Sequence, residues 1–138
     1  MCIRDRIYAV NSNLIPGVLE AIKFYSTKDL ALVSSAPHDW INIVVNRFKI
    51  KSFFKAIISA DDVNGVGKPN PAIYQLAVKR LNANKLKTLT IEDSEKGVLS
   101  AKQAGISCVG FRNGYNQNQD LSKADFIISN FEELKEII

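Results

Sequence analysis

Two adjacent carboxylates, Glu92 and Asp93, follow directly after a short apolar, β-branched run at residues 88–91. Such a run is typical of a buried parallel strand, and ligands bind at the carboxyl edge of open α/β sheets. Hard divalent cations prefer carboxylate oxygens, and a cation keeps both neighbouring acids ionised against their mutual repulsion. The pair therefore indicates a magnesium site. Two acids that complement the dipole of a following helix would have the same sequence.

A lysine, Lys68, lies between Gly67 and Pro69, upstream of the two acids. The proline favours an extended backbone at the lysine, and the glycine relieves crowding before it. A lysine held in this way projects from a fixed loop, where it can bind a phosphate oxygen or balance a negative site. For this position taken alone, an ordinary surface lysine is the alternative.

Two hydroxyl residues, Ser34 and Ser35, end another apolar run at residues 30–33, shortly before Pro37. Hydroxyls and backbone N–H groups at a helix N-terminus bind anions, although an ordinary helix cap uses the same residues. A hydroxyl pair, a lysine and an acidic pair, each at the edge of a βα unit, together predict a phosphate site. We interpret the single histidine, His38, as a surface or rim residue, and Asp61 and Asp62 as a solvated loop.

The elements that must position these residues alternate along the chain. Apolar runs predict strands, and apolar residues at helical spacing predict helices. This alternation predicts a Rossmann-like, three-layer (αβα) fold with a mostly parallel sheet covered on both faces. Strands are predicted at residues 30–33, 55–58, 88–91, 106–110 and 125–128, and helices at 18–25, 37–48, 70–81, 98–104 and after Asn130.

Composition fits one soluble domain of 138 residues, with 46% hydrophobic residues and a net charge of +4. The Lys and Arg residues are scattered, so we expect no nucleic-acid partner, and no apolar run is long enough to span a membrane. No signal peptide is visible, so we expect a cytoplasmic protein. Of the two cysteines, Cys108 lies in an apolar run and is expected to pack in the core as a reduced thiol.

Residues 14–138 resemble haloacid dehalogenase (HAD) superfamily hydrolases, in the subgroup of β-phosphoglucomutase-like and phosphoglycolate-phosphatase-like enzymes. The resemblance lies in the three motifs described above, in their order and with their flanking residues. It implies that Ser34 binds the transferring phosphoryl group and that Lys68 holds the phosphate and orients the nucleophile, so both are expected to be catalytic. It also implies that Mg²⁺ is bound by Asp93 with Glu92 beside it.

The chain departs from that family at its first motif. The family carries an Asp-x-Asp nucleophile on the first strand, followed by an α-helical cap, and the sequence contains neither. We therefore expect residues 1–13 to be a non-native or residual cap-linker segment and residues 14–138 to be the hydrolase core. The resemblance implies that the absent strand belongs between the strands ending at Val33 and Ile91, which leaves two unpaired edges. Residues 7–10 are too short to replace it.

The expected function is that of a magnesium-dependent phosphatase acting on a small phosphorylated metabolite. It is expected to be a monomer when intact and inactive as this chain, because the nucleophile is absent. A β-phosphoglucomutase-type phosphomutase shares every residue named and remains an alternative. A dehalogenase is less favoured because that branch works without a metal. A protein with the same fold that binds a ligand without catalysis is the non-enzymatic alternative.

Overall fold

The structure, a computed structural model, describes residues 13–138. In this part of the chain, strands alternate with α-helices and short 3₁₀ helices. The strands are β1 (Leu30–Val33), β2 (Phe54–Ile58), β3 (Leu89–Glu92), β4 (Ser107–Phe111) and β5 (Phe126–Ile128). The α-helices are α1 (Val18–Phe24), α2 (His38–Arg47), α3 (Ala72–Leu81) and α4 (Glu95–Gln103), and 3₁₀ helices span Lys51–Phe53, Ala60–Val63, Lys85–Lys87 and Phe131–Glu136.

Local sequence explains where several of these elements begin and end. The Ser94 hydroxyl accepts a hydrogen bond from the Gly97 N–H and caps α4. Gly105 follows α4 in the left-handed conformation at φ 75°, which glycine adopts without steric cost. Asn130 and Glu133 form a capping box at the last element, which is a 3₁₀ helix instead of the predicted α-helix.

Both faces of the strands are covered. Along β2, Ile58 packs with α3 and α4 in one core cluster, whereas its neighbour Ile57 packs in another with α1 and α2. Along β4, Cys108 and Val109 separate between two clusters in the same way. This alternation is what adjacent strand residues produce when helices cover both faces, so the predicted three-layer α/β architecture is confirmed.

The strands form two parallel sheets, β1–β2 and β3–β4–β5, and β1 is not hydrogen bonded to β3. All four residues of β1 are partly exposed, whereas four of the five residues of β4 are buried. A cleft of about 380 Å³ lies between β1 and β3, lined mainly by apolar side chains of both strands and of α1 and α3. Among residues 13–138, the unpaired edges of β1 and β3 lie where the family resemblance implies them.

Two smaller findings concern the core and the membrane. Cys108 is fully buried as a free thiol, which confirms its predicted packing role. Burial, reinforced by the nearby Glu92 carboxylate, raises the pKa of this thiol to about 12.

Among the helices of residues 13–138, none combines the length and apolar character needed to cross a bilayer.

Candidate functional site

Lys68 connects the carboxyl ends of β1 and β3 across the gap between the two sheets. Its ammonium donates to the Val33 carbonyl oxygen at 3.1 Å and to the Glu92 carboxylate. Its backbone N–H donates to the Ser35 hydroxyl at 3.3 Å, and its peptide bond to Pro69 is cis. Only 11% of the Lys68 side chain is exposed. The lysine is therefore held in place at the strand ends, as its flanking glycine and proline predict.

Glu92 is buried and bonded on the inside of the site. Its carboxylate accepts hydrogen bonds from the Lys68 ammonium and from the Tyr74 hydroxyl, and 6% of the residue is exposed. Burial raises the pKa of Tyr74, and the Glu92 carboxylate acts in the same direction, so the phenol stays protonated and donates. Tyr74 also accepts from the Thr90 hydroxyl at 3.1 Å and lies with its ring 5.1 Å from the Lys68 ammonium. Glu92 is therefore the counter-charge of Lys68.

Asp93 is exposed and has different partners from Glu92. The Asn113 side-chain amide donates to Asp93 Oδ2 at 3.1 Å, and the Asn116 amide donates to the Asp93 carbonyl at 2.7 Å. Among the described residues, Asp93 Oδ1 accepts no hydrogen bond. The two adjacent acids thus separate, with one bonded inward to Lys68 and the other held by the loop after β4.

That loop holds residues that the sequence analysis missed. Asn116 is 7% exposed and donates both to Asp93 and to the Phe111 carbonyl at 2.8 Å. Arg112 donates to the carbonyl oxygens of Asn116 and Gln119 at 2.9 and 2.8 Å and so closes the loop. In sequence, residues 113–119 read only as a polar loop, because nothing in their composition signals that Asn116 turns inward.

Ser34 and Ser35 lie at the end of β1, beside Lys68. Ser34 is half-buried, its N–H donates to the Ile58 carbonyl at 3.0 Å, and its hydroxyl oxygen accepts from the Ala36 N–H at 3.1 Å. The Ser35 hydroxyl accepts from the Lys68 N–H. Since both oxygens accept from backbone groups, both hydroxyl hydrogens remain available to donate to an anion.

The residues present fit one part of a cation site. Asp93 offers a carboxylate oxygen that no donor of residues 13–138 occupies, which suits a hard cation such as Mg²⁺. Glu92 is already engaged by Lys68 and Tyr74. Within residues 13–138 there is no group of three or more His, Cys, Asp or Glu side chains able to hold a metal ion. These residues thus supply one ligand and not a complete protein cage.

Asp61 and Asp62 lie in the 3₁₀ helix Ala60–Val63, where Asp61 is solvent-exposed as predicted and Asp62 is not. Asp62 is 14% exposed and accepts hydrogen bonds from the Ser59 N–H, the His38 ring and the Arg80 guanidinium. The prediction for Asp62 was wrong because it depended on the neighbouring Asn64 and Gly65. The side chains that bond to Asp62 lie far away in sequence, on α2 and α3. The structure thus joins Ser35, Lys68 and Glu92 by hydrogen bonds, with Ser34 and Asp93 next to them in the chain, and leaves the other acidic pair outside.

Comparison with known proteins identifies related chains. A family profile described as haloacid dehalogenase-like hydrolase matches residues 4–111. The phosphorylated carbohydrates phosphatase of Thermotoga maritima is 37% identical over 88% of this chain, and the match spans 57% of that protein. The chain thus covers little more than half the length of that relative.

Solved structures agree with this relationship. A candidate beta-phosphoglucomutase from Thermotoga maritima is 32% identical with a TM-score of 0.84, over 98% of this chain and 66% of that one. The protein CbbY from Rhodobacter sphaeroides, solved in complex with phosphate, is 26% identical with a TM-score of 0.85, over 94% of this chain and 60% of that one. Because the profile match extends over most of the sequence, this chain belongs to the haloacid dehalogenase-like hydrolase family.

Proposed function

We propose that this chain carries the phosphate-binding part of a magnesium-dependent phosphatase that acts on a small phosphorylated metabolite. The observation that carries the proposal is the position of Lys68, whose ammonium bonds to the ends of β1 and β3 and whose backbone N–H donates to the Ser35 hydroxyl. The phosphatase and the phosphate complex among the relatives support the same chemistry. We also propose that residues 14–138 form one hydrolase core. The expectation for residues 1–13 falls almost wholly outside the described residues.

Charge and hydrogen bonding explain how these groups would hold a phosphate. The Ser34 and Ser35 hydroxyls can donate to equatorial phosphate oxygens, and the Lys68 ammonium supplies a positive charge that Val33 and Glu92 hold in position. In phosphoryl transfer, charge spreads over the equatorial oxygens, so fixed donors stabilise the transition state without reorganising. These groups can therefore bind and orient the phosphoryl group, whereas they supply no nucleophile.

Asp93 would hold the magnesium ion in this proposal. A bound Mg²⁺ would neutralise phosphate charge near the strand ends. Asn113 bonds one oxygen of Asp93 and leaves the other for the ion, while Glu92 holds Lys68. We further propose a monomeric cytoplasmic protein without a nucleic-acid or membrane partner, consistent with its modest net charge. We expect no turnover from the 138-residue chain, since its sequence contains no Asp-x-Asp nucleophile.

Binding of inorganic phosphate to the 138-residue chain tests the proposal. Isothermal titration calorimetry would compare the unmodified chain with Lys68→Ala and with Lys79→Ala, a control that removes the same charge from an exposed position on α3. We expect Lys68→Ala to weaken phosphate binding at least about tenfold, which corresponds to about 1.4 kcal/mol, and Lys79→Ala to have little effect. Equal effects of the two substitutions would contradict the site.

The metal assignment has its own control. With Mg²⁺ present, we expect the ion to strengthen phosphate binding in the unmodified chain and in Asp120→Asn, an exposed acid in the loop after β4. Asp93→Asn should lose this enhancement. If Asp120→Asn loses it equally, Asp93 is not the ligand. If phosphate does not bind at all, the interpretation of a non-catalytic module is favoured.

A further inference from the structure

Asp62, outside the candidate site, accepts hydrogen bonds from three different residues. Its Oδ2 accepts from the Ser59 N–H at 2.8 Å and from His38 Nε2 at 2.7 Å, and its Oδ1 accepts from Arg80 at 2.7 Å. Burial opposes ionisation, but the hydrogen bonds from Ser59, Arg80 and His38 outweigh it and lower the pKa of Asp62. Asp62 is therefore an ionised acceptor at neutral pH, with each carboxylate oxygen engaged.

The contacts around Asp62 join the loop after β2 to the loop after β1. The Ser59 hydroxyl donates to the Ala36 carbonyl at 2.8 Å, and the His38 backbone N–H donates to Asp61 Oδ2 at 2.8 Å. Ala36 and His38 flank Pro37, and the Ala36 N–H bonds the Ser34 hydroxyl. The loop with the serine hydroxyls is thus fastened to the 3₁₀ helix at Ala60–Val63 by the backbone on both sides of Pro37 and by the His38 ring.

The two carboxylate oxygens of Asp62 bond to different parts of the protein. Oδ2 leads through His38 to the residues that follow Ser34 and Ser35, whereas Oδ1 leads to Arg80 at the end of α3, away from that loop. Both contacts are of the same length, and the two donors are similarly exposed, at 37% for His38 and 42% for Arg80. This symmetry makes Arg80 a matched control for His38.

We propose that Asp62 is a positioning residue for the candidate phosphate site, acting through His38 on the loop that carries Ser34 and Ser35. The inference rests on the proposed function, because it assigns to these hydroxyls the role of phosphate donors. Loss of the His38 contact would remove one of the three contacts that fasten the loop, so that the donors would be less ordered before phosphate binds. Loss of the Arg80 contact would leave the loop and both Oδ2 hydrogen bonds in place.

The experiment measures the affinity of the full 138-residue chain for inorganic phosphate in His38→Ala, His38→Gln and Arg80→Ala, at a temperature where each variant is folded by circular dichroism. We expect His38→Ala to weaken phosphate binding about fivefold or more and Arg80→Ala less than twofold. His38→Gln should recover most of the affinity, because its amide nitrogen can reach Asp62 as Nε2 does. If Asp62 only stabilised the fold, His38→Ala and Arg80→Ala would change the phosphate affinity by similar amounts.

Two further variants keep the outcomes distinct. Asp62→Asn should weaken phosphate binding as His38→Ala does, and in both variants the backbone amides at positions 36 and 38 should exchange faster with solvent. If Lys68→Ala loses phosphate while His38→Ala, Asp62→Asn and Arg80→Ala all bind normally, the positioning role is refuted and the proposed function stands. If the unmodified chain binds no phosphate, the proposed function fails and the inference fails with it. The same holds if the Lys68→Ala variant binds phosphate as tightly as the unmodified chain.

Discussion

Lys68 is the residue on which the candidate site depends, because its ammonium bonds to the ends of two strands that do not pair with each other. Of the adjacent acids Glu92 and Asp93, Glu92 bonds to this lysine and Asp93 bonds to other residues. Glu92 neutralises the lysine from the inside of the site, with Tyr74 as its second donor. Asp93 faces the exposed edge and is oriented by Asn113. The two carboxylates therefore have different roles although they are adjacent in sequence.

We expect Glu92→Gln to destabilise the chain by about 3 kcal/mol, because removing one member of a buried ion pair leaves the other charge uncompensated. The control is Glu132→Gln, whose carboxylate pairs with Lys135 at a surface where 76% of the Glu132 side chain is exposed. Exposed pairs contribute about 0–1 kcal/mol, so that change should be small. Urea unfolding measures both. Similar losses for the two variants would mean that the Lys68–Glu92 pair is not buried as described.

Asp62 predicts a dependence of stability on acid pH. Its pKa is lower in the folded chain than the ordinary value of about 3.9, so its ionisation stabilises the fold above that value. This contribution is lost as the pH falls through the folded-state pKa. Asp62→Asn should therefore be less stable than the unmodified chain at pH 7, and the difference should shrink below about pH 4. Urea unfolding across that range would contradict this if the difference stayed constant.

At the scale of elements, sequence patterns identified the strands and α-helices because apolar periodicity and caps act locally. The sequence places the end of each strand within about two residues, and so places Ser34 and Asp93 at the carboxyl ends of β1 and β3. It does not place Tyr74 at the site, since an apolar helix stripe predicts burial but not which strand the hydroxyl meets. It also misses Asn116 and the inward position of Asp62, because both depend on donors and acceptors distant in sequence.

The approach of α4 to β3 gives a prediction about Gly97. A Cβ at this position would overlap the Glu92 carboxylate, and Lys68 and Tyr74 hold that carboxylate in place. Helix propensity alone favours alanine over glycine by about 1 kcal/mol. We expect the overlap to reverse that sign, so that Gly97→Ala destabilises the chain by more than about 1 kcal/mol. Lys96→Ala, at an exposed neighbour on α4, is the control, and a stabilised Gly97→Ala would show that Glu92 can move aside.

At the scale of the whole molecule, the gap that residues 13–138 leave between β1 and β3 weakens the fold. The cleft of about 380 Å³ leaves apolar side chains of both strands accessible, including Ile91 at 39% exposure. The Tyr25 hydroxyl on the cleft wall is buried without a hydrogen-bond partner among the described residues. A domain stable by only about 5 to 15 kcal/mol has little margin for such an opening.

We therefore expect the 138-residue chain to have a low unfolding temperature, to bind the dye ANS on warming and to aggregate at high concentration through its unpaired edges. A peptide that supplies an apolar strand for the cleft should raise the unfolding temperature and reduce ANS fluorescence. A peptide of the same composition in scrambled order is the control. Cooperative unfolding of a monomer at high temperature, without added peptide, would show that the gap is closed in some other way.

The most direct test of the account is to locate bound phosphate at the carboxyl ends of β1 and β3. Inorganic phosphate would be titrated into the ¹⁵N-labelled chain while amide chemical shifts are recorded by NMR. The account predicts that the largest shifts cluster at residues 34–36 and at Lys68, and that Lys68→Ala abolishes them while Lys79→Ala does not. Shifts that cluster elsewhere, or that survive Lys68→Ala, would contradict the assignment of the phosphate site to these residues.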